Sequence, residues 1–184
     1  MDGTLATAYL ADVLRTFRNQ KALAEAALAQ VSDAHLHERL DEEANSLAML
    51  MAHLSGNLRS RFTHFLTSDG EKPDRDRDAE FEPPVQPQRE DLVAAWDEAW
   101  ATALDSLGAL VTEDLERTIT IRQEPFLVVE ALNRLATHTA YHVGQIVLLA
   151  RHACGPGWRS LTIPRGQSRQ ARVGTFKQGI VRQP

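Results

Sequence analysis

Two histidines on one predicted helix have a spacing that suits a metal ion. His138 and His142 lie four residues apart, so their imidazoles project from one helical face, one turn apart. A third candidate ligand, His53, lies on another predicted helix between Leu50 and Leu54. Three neutral imidazoles bind a divalent transition metal and leave coordination positions open for water or substrate, which is typical of a catalytic site. We therefore predict a metal site at His53, His138 and His142.

Two glycines lie close to these histidines in the sequence. Gly56 and Gly144 each destabilise a helix by about 1 kcal/mol relative to alanine. Close approach of the two helix backbones beside the predicted site would compensate for this lower helix stability. We therefore expect the helices that carry His53 and His142 to meet at these glycines.

Four polar residues are candidates for supporting this site. Asn57 and Gln145 lie within about one turn of a histidine, and we expect them to hold a ligand's second nitrogen or a bound water. The alternative is an ordinary hydrogen bond between helices. Arg61 and Arg165 are candidates for orienting a substrate carboxylate or phosphate. Alternatively, Arg61 pairs with an acidic loop and Arg165 docks the C-terminal segment.

Hydrophobic periodicity predicts the elements that carry these residues. The stretch at 69–88 holds four prolines and alternating charges, so it predicts a long surface crossover between the second and third helices. A short extended segment at 118–121 precedes the last helix, which we expect to hold Pro125 in its first turn. The pattern favours one all-α domain over residues 1–184, a four-helix bundle with an irregular basic tail at 154–184. The predicted core helices cover residues 4–31, 42–66, 90–110 and 126–153.

Composition narrows the class of protein. The single cysteine, Cys154, excludes an intrachain disulfide framework and a cysteine-based zinc cluster. Neither a signal peptide nor a membrane span is readable, so we expect a cytoplasmic protein. Residues 151–184 hold seven Lys and Arg and no Asp or Glu, although the chain's net charge is −5. A nucleic-acid partner is disfavoured, because such a tail more often folds onto an acidic body or holds a small anion.

Several ordered motifs carry a resemblance to a known family. The motifs are HLSGN at 53–57, SRFT at 60–63, DGEKP at 69–73, RDRDAEFE at 75–82, EALNR at 130–134, HTAYHVGQI at 138–146 and IPRGQS at 163–168. Through them, over residues 4–168, the chain resembles the DUF1572 branch of the DinB/YfiT-like metalloenzymes. The resemblance is more specific than the histidine pair by itself.

The resemblance implies a four-helix bundle, often a homodimer, with a divalent metal held by His53, His138 and His142. Nickel and zinc are the usual occupants in the superfamily, whose relatives include bacillithiol-using S-transferases and a mycothiol-dependent maleylpyruvate isomerase. The leading hypothesis is a metal-dependent S-transferase in which a low-molecular-weight thiol attacks a small electrophile. One alternative is a metal-dependent small-molecule hydrolase. Another is a non-catalytic dimeric module, for metal binding or stress response, in which the metal locks the helices together.

Overall fold

The computed structural model describes residues 3–83 and 85–170, so the predicted tail lies outside them from residue 171 onward. The chain is mostly helical, as predicted, but it is not purely α, because two short strands pair as an antiparallel hairpin. Within the described ranges, none of the helices combines the length and hydropathy needed to cross a membrane. The main elements are α1 (Gly3–Leu28), α2 (Leu47–Phe62), α3 (Arg89–Gly108), β1 (Thr118–Ile121), β2 (Glu124–Leu127) and α4 (Val128–Cys154).

Large aromatic side chains hold the helices together. α1 packs against α4 and α3, while α2 packs against α3 and α4. Phe17 of α1 makes edge-on ring contacts with Phe62 of α2 and Trp100 of α3, at centroid distances of 5.5 and 6.3 Å. Burial of such rings is among the strongest apolar contributions to stability. α2 also contacts α4 directly, and this contact brings the predicted ligand helices together.

α2 covers Leu47–Phe62 and is shorter at both ends than the predicted range of 42–66. The Asp41 carboxylate accepts hydrogen bonds from the backbone of Glu43 and Ala44, which forms a turn instead of a first helical turn. Ser46 then caps the helix by accepting from the Met49 backbone N–H at 3.2 Å. At the other end His64 has a φ of 52°, which stops the helix. At this end the apolar stripe continues past the helix because Phe65 is buried as well.

The start of α4 also differs from the prediction. Pro125 lies in β2 and not in a first helical turn, and the hairpin turn consists of Arg122 and Gln123, with φ values of 56° and 65°. Positive φ at both positions is typical of a type I′ turn, which usually contains Asn or Gly. The Asp69 carboxylate accepts from both turn N–H groups, at 2.9 and 2.8 Å. A side chain distant in sequence therefore stabilises a turn that its own residues do not favour.

The crossover between α2 and α3 contributes to the interior as well as to the surface. Ser60 of α2 donates to the carbonyl of Gly70 at 2.9 Å and accepts from the backbone N–H of Lys72 at 3.1 Å. These bonds fix the start of the crossover against α2. Farther along, the side chains of Arg75 and Glu80 are only 3% and 9% exposed. The prediction of a surface crossover is therefore wrong for the part that meets α2.

The remaining boundaries need small corrections. α1 ends at Leu28 and not at residue 31, although Val31 stays buried, and α3 ends at Gly108 and not at residue 110. After α4 the chain docks on the end of α1, where Gln30 bonds to the backbone N–H and carbonyl of Arg159 at 2.8 and 3.2 Å. The first part of the predicted tail is therefore anchored to the helical body.

Candidate metal centre

Three histidines from two packed helices form a compact cluster. His53 comes from α2, and His138 and His142 come from successive turns of α4. Each offers one nitrogen within 4.8 Å of the other two, and the ring centroids lie 4.6 to 5.3 Å apart. Neutral imidazoles at these separations suit a shared divalent ion. The three predicted ligands thus lie together, with His53 and His142 only 4% and 8% exposed.

A carboxylate from the crossover orients His53. Glu80 Oε2 lies 2.8 Å from Nδ1 of His53, so this nitrogen carries the proton and the lone pair of Nε2 faces Nε2 of His138 at 3.3 Å. Arg75 holds Glu80 in place through Nε and Nη2, at 2.7 and 2.9 Å. Burial raises the pKa of Glu80, but its bonds to His53 and Arg75 outweigh that effect and lower the pKa overall. The carboxylate is therefore ionised and fixes the tautomer of a candidate ligand.

Gly56 makes room for this carboxylate. A Cβ at position 56 would lie 2.8 Å from Cδ of Glu80 and closer still to Oε1, which is below normal contact distance. The close approach predicted here exists, but its partner is Glu80 of the crossover and not the α4 backbone. The prediction for Gly144 is wrong, because a Cβ at that position would have no neighbour within 4 Å.

The two candidate ligands on α4 differ in their surroundings. Nδ1 of His142 lies 2.9 Å from Oε1 of Gln145, the second-nitrogen contact predicted for this glutamine. Burial lowers the pKa of His142 although the Gln145 bond raises it. Burial and then the nearby rings of His142 and His53 lower the pKa of His138 to about 3. Nδ1 of His138 is buried without a hydrogen-bond partner among the described residues, and its ring is neutral at pH 7.

A cavity of about 420 Å³ opens beside the three histidines. This size suits a small molecule. Asn57 and Arg61 line it, as their predicted roles require, and both are at least 93% buried. Eight further side chains line the cavity and were not predicted as site residues. Three of them belong to the motif at 75–82, which was their only signal in the sequence. The eight are Asn45, Arg75, Arg77, Phe81, Arg122, Arg134, Leu135 and Tyr141.

The two predicted anion-binding arginines have different positions. Arg61 donates to the carbonyl of Gly70 and, at 2.9 Å, to the carboxylate of Glu71. It therefore pairs with the acidic crossover, as the alternative prediction held, while also lining the cavity. Arg165 is exposed and is not among the cavity-lining residues. The structure brings six of the seven predicted site residues to one region and leaves Arg165 outside the cavity.

One protein family matches nearly the whole described chain. The family described as a protein of unknown function, DUF1572, matches residues 4–167. That range includes the three histidines, the crossover and the hairpin. No curated protein matches the chain.

Proposed function

The chain belongs to the DUF1572 family, and we propose that it binds one divalent transition-metal ion through His53, His138 and His142. The observation that carries this proposal is the cluster of three ligand nitrogens within 4.8 Å of one another. The ordered tautomer of His53 supports it, because metal-binding histidines typically donate their other N–H to a carboxylate. The half-buried ring of His138 supports it further, since its buried Nδ1 has no hydrogen-bond partner among the described residues and a metal would satisfy a polar ring that is otherwise costly to bury.

The proposal extends to the fold family, the identity of the metal, the location and the oligomeric state. We propose that the four helices form the DinB/YfiT-like four-helix bundle, that the metal is nickel or zinc, and that the protein is a cytoplasmic homodimer. The pairing of α1 with α4 and of α2 with α3 supports the bundle. The nitrogen-only ligand set supports a borderline transition metal over magnesium or calcium, which prefer oxygen ligands.

We propose that the activity is transfer of a small thiol onto a small electrophile. A bound divalent ion would supply positive charge that favours the thiolate form of a coordinated thiol. The cavity's arginines also favour an anion, and the cavity is large enough for two small reactants. The thiol proton passes to solvent, sulfur bonds to the electrophilic carbon, and the leaving group departs with its electron pair. Asn57 is placed to orient the reactants, because it lines the cavity.

A paired assay tests this activity. Zinc- and nickel-loaded protein is supplied with cysteine as the thiol and monochlorobimane as the electrophile, and adduct fluorescence is measured against time. We expect turnover by the wild type, loss of turnover in His138→Ala, and normal turnover in His152→Ala, an exposed histidine of the same helix. Cleavage of para-nitrophenyl acetate without thiol would instead identify a hydrolase. Bound metal with neither reaction would overturn the transferase and favour a non-catalytic module.

A further inference from the structure

The arginines of the histidine cavity are only partly neutralised. Five arginines line the cavity, and among the described residues the carboxylates that pair with them are Glu71 and Glu80. Glu71 forms ion pairs with Arg61 and Arg122 at 2.9 and 2.8 Å, and Glu80 forms an ion pair with Arg75 at 2.7 Å. Five cations against two carboxylates leave an excess of three positive charges.

Two of these arginines have no carboxylate partner within the described part of the chain. Arg77 lies over the ring of Phe81, with its guanidinium carbon 5.0 Å from the ring centroid. Arg134 lies over the ring of Phe126 at 6.0 Å. A cation–π contact restrains a guanidinium but leaves its N–H donors available for hydrogen bonds. Both arginines are therefore positioned and retain unused hydrogen-bonding capacity.

The two arginines reach the cavity from different elements. Arg77 comes from the crossover, three residues before Glu80, and Arg134 lies one helical turn before His138 on α4. Each is thus close in sequence to a residue of the metal centre. The guanidinium fork matches the two oxygens of a carboxylate or phosphate. Neither residue is needed for an internal ion pair, so a bound anion would not displace a partner.

We propose that Arg77 and Arg134 bind the oxyanion group, a carboxylate or a phosphate, of the small molecule on which the metal centre acts. This deepens the proposed function and depends on it for the identity of the bound molecule as a substrate. It transfers to these residues the anion-orienting role first expected of Arg61 and Arg165. Arg61 is occupied by Gly70 and Glu71.

Titration calorimetry with inorganic phosphate and, separately, propionate tests the proposal. Both zinc-loaded and chelator-treated protein are used, because the arginines remain when the metal is removed. We expect saturable binding of at least one anion in both forms, weakened about tenfold in Arg77→Gln and in Arg134→Gln. Arg151→Gln, an exposed arginine of α4, removes the same charge outside the cavity and is expected to bind normally. Preference for phosphate or for propionate identifies the group.

Two results overturn the proposal: no anion binding by the wild type, or equal binding by the wild type and both cavity variants. Thermal melts of the variants check that they fold, and zinc content checks that the metal centre is intact. If the wild type binds anions after chelation but takes up no metal at all, the proposed metal function fails and the anion site stands. If it takes up metal but binds neither anion, the anion site fails and the metal centre stands.

Discussion

Replacing Gly56 by alanine probes the link between the crossover and the metal centre. The added Cβ would lie 2.8 Å from Cδ of Glu80, so the carboxylate must move. That carboxylate is held by two bonds from Arg75 and one from His53, all between 2.7 and 2.9 Å. The substitution therefore acts on His53 without changing any candidate ligand.

Two opposing effects set the expected magnitude. Alanine stabilises a helix by about 1 kcal/mol relative to glycine. Breaking a buried ion pair destabilises by about 3 to 5 kcal/mol, and Glu80 and Arg75 form such a pair. The Gly56→Ala protein is therefore expected to lose about 2 kcal/mol or more of unfolding free energy. Zinc affinity is expected to fall about 10- to 100-fold, because the partner of a ligating histidine is displaced.

Urea unfolding followed by circular dichroism and zinc competition with a chromophoric chelator measure both quantities. Gly144→Ala is the matched control, because its Cβ enters open space on α4; it is expected to gain up to about 1 kcal/mol with unchanged zinc affinity. In a Glu80→Ala background the obstacle is gone, so Gly56→Ala is expected to become stabilising as well. The reasoning is refuted if Gly56→Ala alone behaves like Gly144→Ala.

Three further predictions follow from single contacts. Glu80→Gln removes the charge that orients His53, so zinc affinity is expected to fall about tenfold or more in chelator competition; unchanged affinity would contradict this. Burial raises the pKa of Asp69, but the backbone N–H groups of Glu71, Gln123 and Arg122 lower it to about 2. The ionised Asp69 therefore stabilises the folded chain above its ordinary pKa of about 3.8, and this stabilisation is lost as pH falls toward 2. In thermal melts across that window, Asp69→Asn is expected to lose less stability than the wild type. An equal loss in the two proteins would refute this prediction. Gln123→Gly removes the strain of a side chain at positive φ, so the unfolding free energy measured in urea is expected to rise by about 1 kcal/mol. A lower unfolding free energy would show that the turn is unstrained.

The cluster of three histidines was predictable because its signal is local. The four-residue spacing of His138 and His142 places them on one face of α4 whatever the tertiary structure. The prediction that His53 joins them required only a second amphipathic helix that packs against α4. The four helices themselves follow from hydrophobic periodicity, which is strong in long segments.

The supporting residues depend on contacts between distant parts of the chain. Glu80 follows a run of alternating charges at 74–78 that is typical of a solvated loop, and only the folded chain places it against His53. The hairpin was missed because Arg122 and Gln123 lack the usual turn signature and depend on Asp69. The helix limits were overestimated where buried residues such as Phe65 continue the apolar stripe beyond the last helical turn.

Elemental analysis of tag-free protein tests the central claim most directly. Wild type, His142→Ala and His152→Ala are incubated with nickel or zinc and then exchanged into metal-free buffer. The account predicts about one bound metal ion per chain in the wild type and in His152→Ala, and loss of that ion in His142→Ala. No metal in the wild type, or equal metal in all three proteins, would contradict a metal centre at His53, His138 and His142.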